Sequence, residues 1–204
     1  MKKSNLFTKL LLGVAILSLS LCSYGEIILL DNTGSPGTGD NLDGIETVPT
    51  TINMPEIPGL QMTITAILGT DTGAELNSTS TSLGINSDND TDTDAFEAAF
   101  GQGFSFSFNQ DVSITQLDFT TFDSGEVFNF GGVTIENDDL SNKTTDIYDF
   151  SSPLLVSANS VISMSATTGT IGIEKMTLTA IPEPSIAALL LIGMGFLVRF
   201  IRKK

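Results

Sequence analysis

The chain of 204 residues has no histidine, no tryptophan and a single cysteine. Without histidine there can be no Ser-His-Asp or Cys-His catalysis and no imidazole-held metal. No glycine-rich loop follows a predicted strand, which leaves no phosphate cradle of the usual kind. Basic residues are scarce where they would matter for nucleic acid. Of the nine lysines and arginines, Lys2, Lys3 and Lys9 stand at the start, and Arg199, Arg202, Lys203 and Lys204 at the end. Only Lys143 and Lys175 fall between them, whereas all 24 acidic residues lie from Glu26 to Glu183. The middle therefore carries 2 − 24 = −22. Such a charge repels DNA, RNA and anionic surfaces and attracts cations. Nucleic acid is excluded as a partner.

The start has the three parts of a secretory signal, which we place at residues 1–25. MKKSNLFTK is a positive leader, Leu10–Leu21 an apolar run too short to span a bilayer comfortably, and Ser23 and Gly25 the small residues before a cut ahead of Glu26. The lone Cys22 follows Leu21, a poor context for lipidation, and the cut removes it. The exported protein then has no thiol and no disulfide, although export leads to an oxidising compartment. Its core has to hold by burial, with or without help from a metal ion.

The end is ordered in the opposite sense. From Ser185 to Val198 every residue is apolar or small, and Phe200 and Ile201 extend the run past Arg199. This gives a single predicted transmembrane helix of about 25 Å. Arg199 can snorkel to the headgroups, and with Arg202, Lys203 and Lys204 it anchors the inner end of the helix in the cytoplasm. Just upstream, Pro182 and Pro184 block helix continuation and keep Glu183 extended. The motif Pro182-Glu183-Pro184, then the apolar segment, then the basic terminus, resembles the PEP-CTERM sorting signal of exopolysaccharide-producing Gram-negative bacteria. Residues 181–204 carry the resemblance. It implies that an exosortase, a membrane enzyme resembling cysteine transpeptidases, grips the tripeptide and processes the chain near it. It also implies a route through the inner membrane to the cell surface or matrix. The segment from Ser82 to Glu126, with its acidic loop and Phe-rich strand, is more weakly similar to sequences met in the same proteins.

The middle, residues 26–180, reads as one all-β domain, an antiparallel β-sandwich with a jelly-roll topology or, as the alternative, an immunoglobulin-like Greek key. LQMTITAIL sets Met62, Ile64, Ala66 and Leu68 on one strand face, and GFSFSFN does the same for Phe104, Phe106 and Phe108. In a domain without tryptophan this Phe stripe reads as core rather than as a sugar-stacking platform. The turn-like Asn109-Gln110-Asp111 predicts a hairpin into DVSITQLDFT. There Val112 and Ile114 are out of phase with Leu117 and Phe119, so a bulge is expected near Thr115–Gln116. A similar phase change is expected at Lys175–Met176. Gly131–Gly132 breaks two Phe- and Val-containing runs. TDAFEAAF, Thr93–Phe100, predicts the one helix, capped by Asp94 with Phe96 and Phe100 on its buried side. Asp31–Gly44 reads as a loop with almost nothing to bury.

For chemistry, the sharpest cluster is Asp88, Asp90, Asp92 and Asp94. Oxygen ligands at this density suit Ca²⁺. The spacing fails as an EF-hand, with Thr93 and Ala99 at the sixth and twelfth positions. A calcium site here would draw further ligands from elsewhere, such as Asp138 or Asp139; otherwise the run is a solvated acidic loop. Catalysis has only carboxylate pairs to use, as in glycoside hydrolysis, and nothing nominates a pair. The expected function is therefore non-enzymatic: an exported surface or matrix protein, sorted by an exosortase, with a structural or adhesive role among extracellular polysaccharides. Alternatives are a calcium-dependent carbohydrate-binding module and a carboxylate-pair hydrolase.

Overall fold

Alternating apolar and small polar residues become strands through most of the residues that the computed structural model describes, 26–29, 42–70, 73–86 and 95–181. Among the described residues thirteen strands run in chain order. They are β1 (Glu26–Leu29), β2 (Thr50–Asn53), β3 (Gln61–Ile67), β4 (Glu75–Ser78), β5 (Leu83–Asn86), β6 (Phe96–Glu97) and β7 (Gly103–Phe108). After them come β8 (Val112–Thr121), β9 (Val127–Phe130), β10 (Val133–Glu136), β11 (Ile147–Val156), β12 (Ile162–Thr168) and β13 (Thr170–Ala180). One turn of 3-10 helix covers Asn137–Asp139.

The strands form two antiparallel sheets. The first has the order β11-β8-β13-β5-β4, and the second β10-β9-β12-β7-β3-β2. β13 organises the first sheet. One of its edges pairs with β8 from Gly172 to Ala180. The other is shared in turn by β6 at Thr170–Ile171, β5 at Ile173 and β1 at Lys175–Leu178.

One apolar core lies between the sheets, and its rings meet across them. Phe119 of the first sheet lies 5.2 Å from Phe128 of the second, centroid to centroid, and Phe130 lies 5.8 Å from Phe150. Phe104, Phe106 and Phe108 are fully buried, as the alternation predicts for a core stripe. Burying three such rings replaces what disulfides would otherwise supply, at ~1.5–3 kcal/mol for each buried side chain.

Both phase changes in the sequence are bulges. On β8, Ile114 pairs with Leu178 and Gln116 with Thr177, so Thr115 is the extra residue. Val112, Ile114, Leu117 and Phe119 all point inward as a result. On β13, Ile173 pairs with Phe119 and Lys175 with Asp118, so Glu174 is extra, and Ile171, Ile173, Met176 and Leu178 share the core. Gly131–Gly132 forms the two-residue turn joining β9 and β10, with φ values of 57° and 86° that demand glycine.

Two expectations are corrected. Asn109–Asp111 does not close a hairpin. β7 already pairs on both sides, with β3 and β12, while β8 lies in the other sheet, so the turn carries the chain across the sandwich. Asn109 secures the crossing by accepting from the Gln61 amide on Oδ1 and donating Nδ2 to the Gly59 carbonyl. Nor is Thr93–Phe100 a helix over its described part. Phe96–Glu97 pairs with β13, and Ala98–Gly101 turns tightly through bonds from Phe100 N to Glu97 O and Gly101 N to Ala98 O. Phe96 is buried against Phe104, at 5.5 Å between centroids, and that packing with the β13 pairing outweighs local helix propensity. Asp94, the expected cap, lies outside the described residues. The expected loop up to Gly44 also buries more than its composition suggests, since Leu42 is fully enclosed.

Candidate functional site

The predicted sorting tripeptide Pro182, Glu183 and Pro184, the predicted basic anchor Arg199, Arg202, Lys203 and Lys204, and the candidate calcium ligands Asp88, Asp90, Asp92 and Asp94 all lie outside the described residues. Among the described residues no helix is long and apolar enough to cross a membrane. The fold does define what leads into each of these stretches. β13 runs unbroken to Ala180, so a single residue, Ile181, separates the sheet from Pro182. Around the acidic run, the Ile85 amide donates to the Ala95 carbonyl at 3.0 Å, which ties together the two ends from which that run departs.

The two acids suggested as additional calcium ligands already have partners. Asp138 forms an ion pair with Lys143, and Asp139 accepts from the Glu136 amide at 3.0 Å, closing the 3-10 turn. Lys143 holds the Asp138 carboxyl below its ordinary value. Among the described residues no three acidic side chains converge in a way that could hold a metal ion.

Other acids act as fasteners, which sequence reasoning missed. Glu126 bridges two turns: Oε2 accepts from the Asp123 amide at 2.7 Å and Oε1 from the Thr170 amide at 2.9 Å. The contact needs Gly169 between β12 and β13, whose φ is 84° and where a Cβ would meet Oε1 at 2.3 Å. Asp111 Oδ1 accepts from the Ala158 amide at 2.7 Å, tying the β7–β8 crossing to the turn after β11. A glycine between two strand patterns was a signal for the first. No local pattern marks the second, whose partner lies 47 positions away.

The densest electrostatic centre is on the first sheet. Lys175 Nζ lies 2.6 Å from Glu174 and 3.2 Å from Asp118. Two carboxylates thus share one ammonium, and Glu174 holds the closer place. Lys175 is accordingly pushed up, first by its bond to Glu174. Asp118, whose side chain is only 14% exposed, is also pushed up, because burial outweighs its bond to Lys175. The two partners respond in senses that oppose each other for a simple ion pair. The geometry fits this: Glu174 takes the nearer place on Lys175, and the bond to Lys175 does not offset the burial of Asp118. Asp146, which adopts φ 49° at the start of β11, is raised as well, by burial and then by Asp123, Asp118 and Glu126. The Tyr148 hydroxyl is raised by burial and by Asp139. Burial is the first cause of the shift at Asp118, Asp146 and Tyr148 alike, with neighbouring acids adding to it.

Comparison with protein-family models, with curated proteins and with solved structures finds no match for the chain.

Proposed function

We propose that the protein is an exported cell-surface or extracellular-matrix protein, sorted and processed by an exosortase, whose folded part has a structural or adhesive role rather than a catalytic one. The observation that carries this reading is the order of parts at the end of the chain: Pro182-Glu183-Pro184, an apolar run, then Arg199, Arg202, Lys203 and Lys204. Signal and anchor agree on one topology, with the acidic domain outside and the basic tail inside. The domain also suits an exterior life without thiols, because its core is closed by packed phenylalanines. The absence of histidine and the structural employment of Asp111, Glu126 and Asp139 both speak against an enzyme.

We further propose that the domain is a jelly roll. In such a fold, eight strands alternate between two four-stranded sheets through two Greek keys. The orders β5-β13-β8-β11 and β7-β12-β9-β10 support this, with β2, β3 and β4 as additions at the edges.

The test is maturation in the native host. The chain with Pro182→Ala, Glu183→Gln and Pro184→Ala is expected to keep its C-terminal segment and stay in the inner membrane, while the unaltered chain loses mass near the tripeptide. Equal mature masses and equal location for the two would reduce the signal to a plain anchor.

A further inference from the structure

Asparagine two residues before serine or threonine is the acceptor pattern for N-linked glycans in exported proteins, unless proline stands between them. The chain has it three times, at Asn77-Ser78-Thr79, Asn89-Asp90-Thr91 and Asn142-Lys143-Thr144. Asn89 lies outside the described residues. The fold separates the other two. Asn77 is half-buried within β4, where it pairs with Gly84 of β5. Ser78 is buried, and the Thr79 hydroxyl donates to the Ser82 carbonyl at 3.3 Å. To enter a transferase cleft, this sequon has first to leave its sheet.

Asn142 is placed quite differently. It opens the turn between the 3-10 helix and β11, and every residue from Ser141 to Thr145 is exposed. The turn is closed at its base, where the Asn142 amide donates to the Ile147 carbonyl at 3.2 Å and the Ile147 amide to the Asn142 carbonyl at 3.0 Å. Lys143, the middle residue of the sequon, is tied to Asp138 by an ion pair. Within the turn Asn142 Oδ1 accepts from the Thr144 backbone amide at 3.0 Å, which makes an Asx turn. Nδ2, the atom that takes the sugar, has no hydrogen bond among the described residues, and neither has the Thr144 hydroxyl. Both groups that define the sequon stand open to an incoming enzyme.

Resting on the reading that the domain is exported, we propose that Asn142 is an N-glycosylation site of the folded protein and that Asn77 is not. The donor is a glycan carried on a lipid diphosphate, and the catalyst is an oligosaccharyl transferase acting in the compartment that receives the domain. The bond from Nδ2 to the anomeric carbon forms as that carbon's bond to the diphosphate oxygen breaks. The diphosphate leaves with the bonding pair, and one Nδ2 proton passes to a base of the transferase. The position gives the glycan a use. β11 is the outermost strand of the first sheet among the described residues, and the turn leads straight into it. An uncovered edge strand invites pairing with another chain. A bulky, solubilising glycan at its start hinders that approach.

Peptide mapping by mass spectrometry of the protein recovered from its native host tests this, and the N-terminal peptide reports whether the signal has been cut. The expected result is glycan mass on the peptide holding Asn142 and none on the peptide holding Asn77, in a chain that begins near Glu26. Thr144→Ala should abolish the modification without disturbing the turn, because the Asx bond uses the Thr144 backbone amide. Thr144→Ser should retain it, and Asn77→Gln should leave it unchanged. A bare Asn142 on a chain whose signal has been removed would overturn the site and leave export standing. A bare chain with its signal intact would overturn export, and the site with it. Glycan on Asn77, alone or together with Asn142, would overturn the claim that the fold chooses the acceptor and would mean that the chain is modified before it folds. Glycan that persists on Asn142 in Thr144→Ala would overturn recognition of the sequon.

Discussion

The two sheets face one core but fill it differently. The second sheet presents rings: Phe104, Phe106 and Phe108 from β7, and Phe128 and Phe130 from β9. The first presents mostly aliphatic chains, among them Val112, Ile114, Leu117, Ile171, Ile173 and Leu178. Their registers differ in step, although the second sheet has one shift of its own, between β12 and β9 past Ala166. β7 pairs with β3 and with β12 without interruption. β8 and β13 shift register three times along their pairing. The rings explain the regular strand. Phe104–Phe106 and Phe106–Phe108 lie 5.6 and 5.4 Å apart, a contact that requires successive inward positions at strict two-residue spacing. Aliphatic side chains make no such demand. The longer strands of the first sheet can take bulges, which increase twist and let them coil over the shorter ones.

The sharpest way to break that comparison is to delete one residue from each sheet. Removing Ser105 would put Phe104 next to Phe106 and turn one set of rings to solvent, because a one-residue slip reverses the faces. No cooperative thermal transition is expected. Removing Thr115 should do something quite different. It takes out the extra residue of the bulge and leaves Ile114, Gln116 and Leu117 in simple alternation, with the inward set intact. The loss is the Thr115 hydroxyl bond to the Thr177 carbonyl and some twist. A cooperative transition should survive, lowered by roughly 1–3 kcal/mol in denaturant unfolding. If the Thr115 deletion unfolds the protein while the Ser105 deletion does not, the division of labour between the sheets is wrong.

Within the aromatic sheet, Phe106 is the central contact, touching Phe104, Phe108 and Phe130. Phe106→Ala should cost ~3–5 kcal/mol of stability, since the surrounding rings cannot close the cavity. Met176→Leu on the aliphatic sheet, a swap that keeps volume, should cost less than about 1.5 kcal/mol. Equilibrium unfolding in urea measures both.

The same contrast explains how much could be read from the chain. Alternation in GFSFSF and the broken phase of DVSITQLDFT are local, and both were legible, the bulge being expected near Thr115–Gln116 and found at Thr115. What a strand pairs with is not local. Asn109-Gln110-Asp111 has hairpin chemistry, yet β3 and β12 occupy both edges of β7, so the next strand has to join the other sheet. TDAFEAAF has helical spacing, yet Phe96 is drawn to the core and its backbone to β13. The fastening role of Glu126 depends on a partner 44 residues on. The candidate site divides in the same way. The predicted sorting tripeptide and the acidic run are patterns of sequence, whereas the bonds of Asp111 and Glu126 to the Ala158 and Thr170 amides exist only once strands from across the chain are laid side by side.

The smallest expected effect concerns pH and again separates two regions, the crowded acids of the first sheet and the exposed pair on the 3-10 turn. Asp118 and Asp146 are both raised above the ordinary value of 3.8, each first by burial. A group raised in the folded state binds its proton more tightly there than in the unfolded chain, so its contribution to stability is complete below 3.8 and is lost as pH rises through the folded value. Acidification from neutrality toward 3.8 should therefore raise the thermal midpoint, and relief of self-repulsion in so acidic a domain acts in the same sense. Asp138 has the opposite sign, since Lys143 lowers it and its contribution is present above 3.8 and fades below. That pair is solvent-exposed, so its part in the profile should be slight. Asp118→Asn should flatten the rise between pH 7 and pH 4, and Asp138→Asn should leave it unchanged. A wild-type midpoint that falls over this range would mean that Lys175 neutralises Asp118 more than Glu174, and that the trio is an ordinary ion pair.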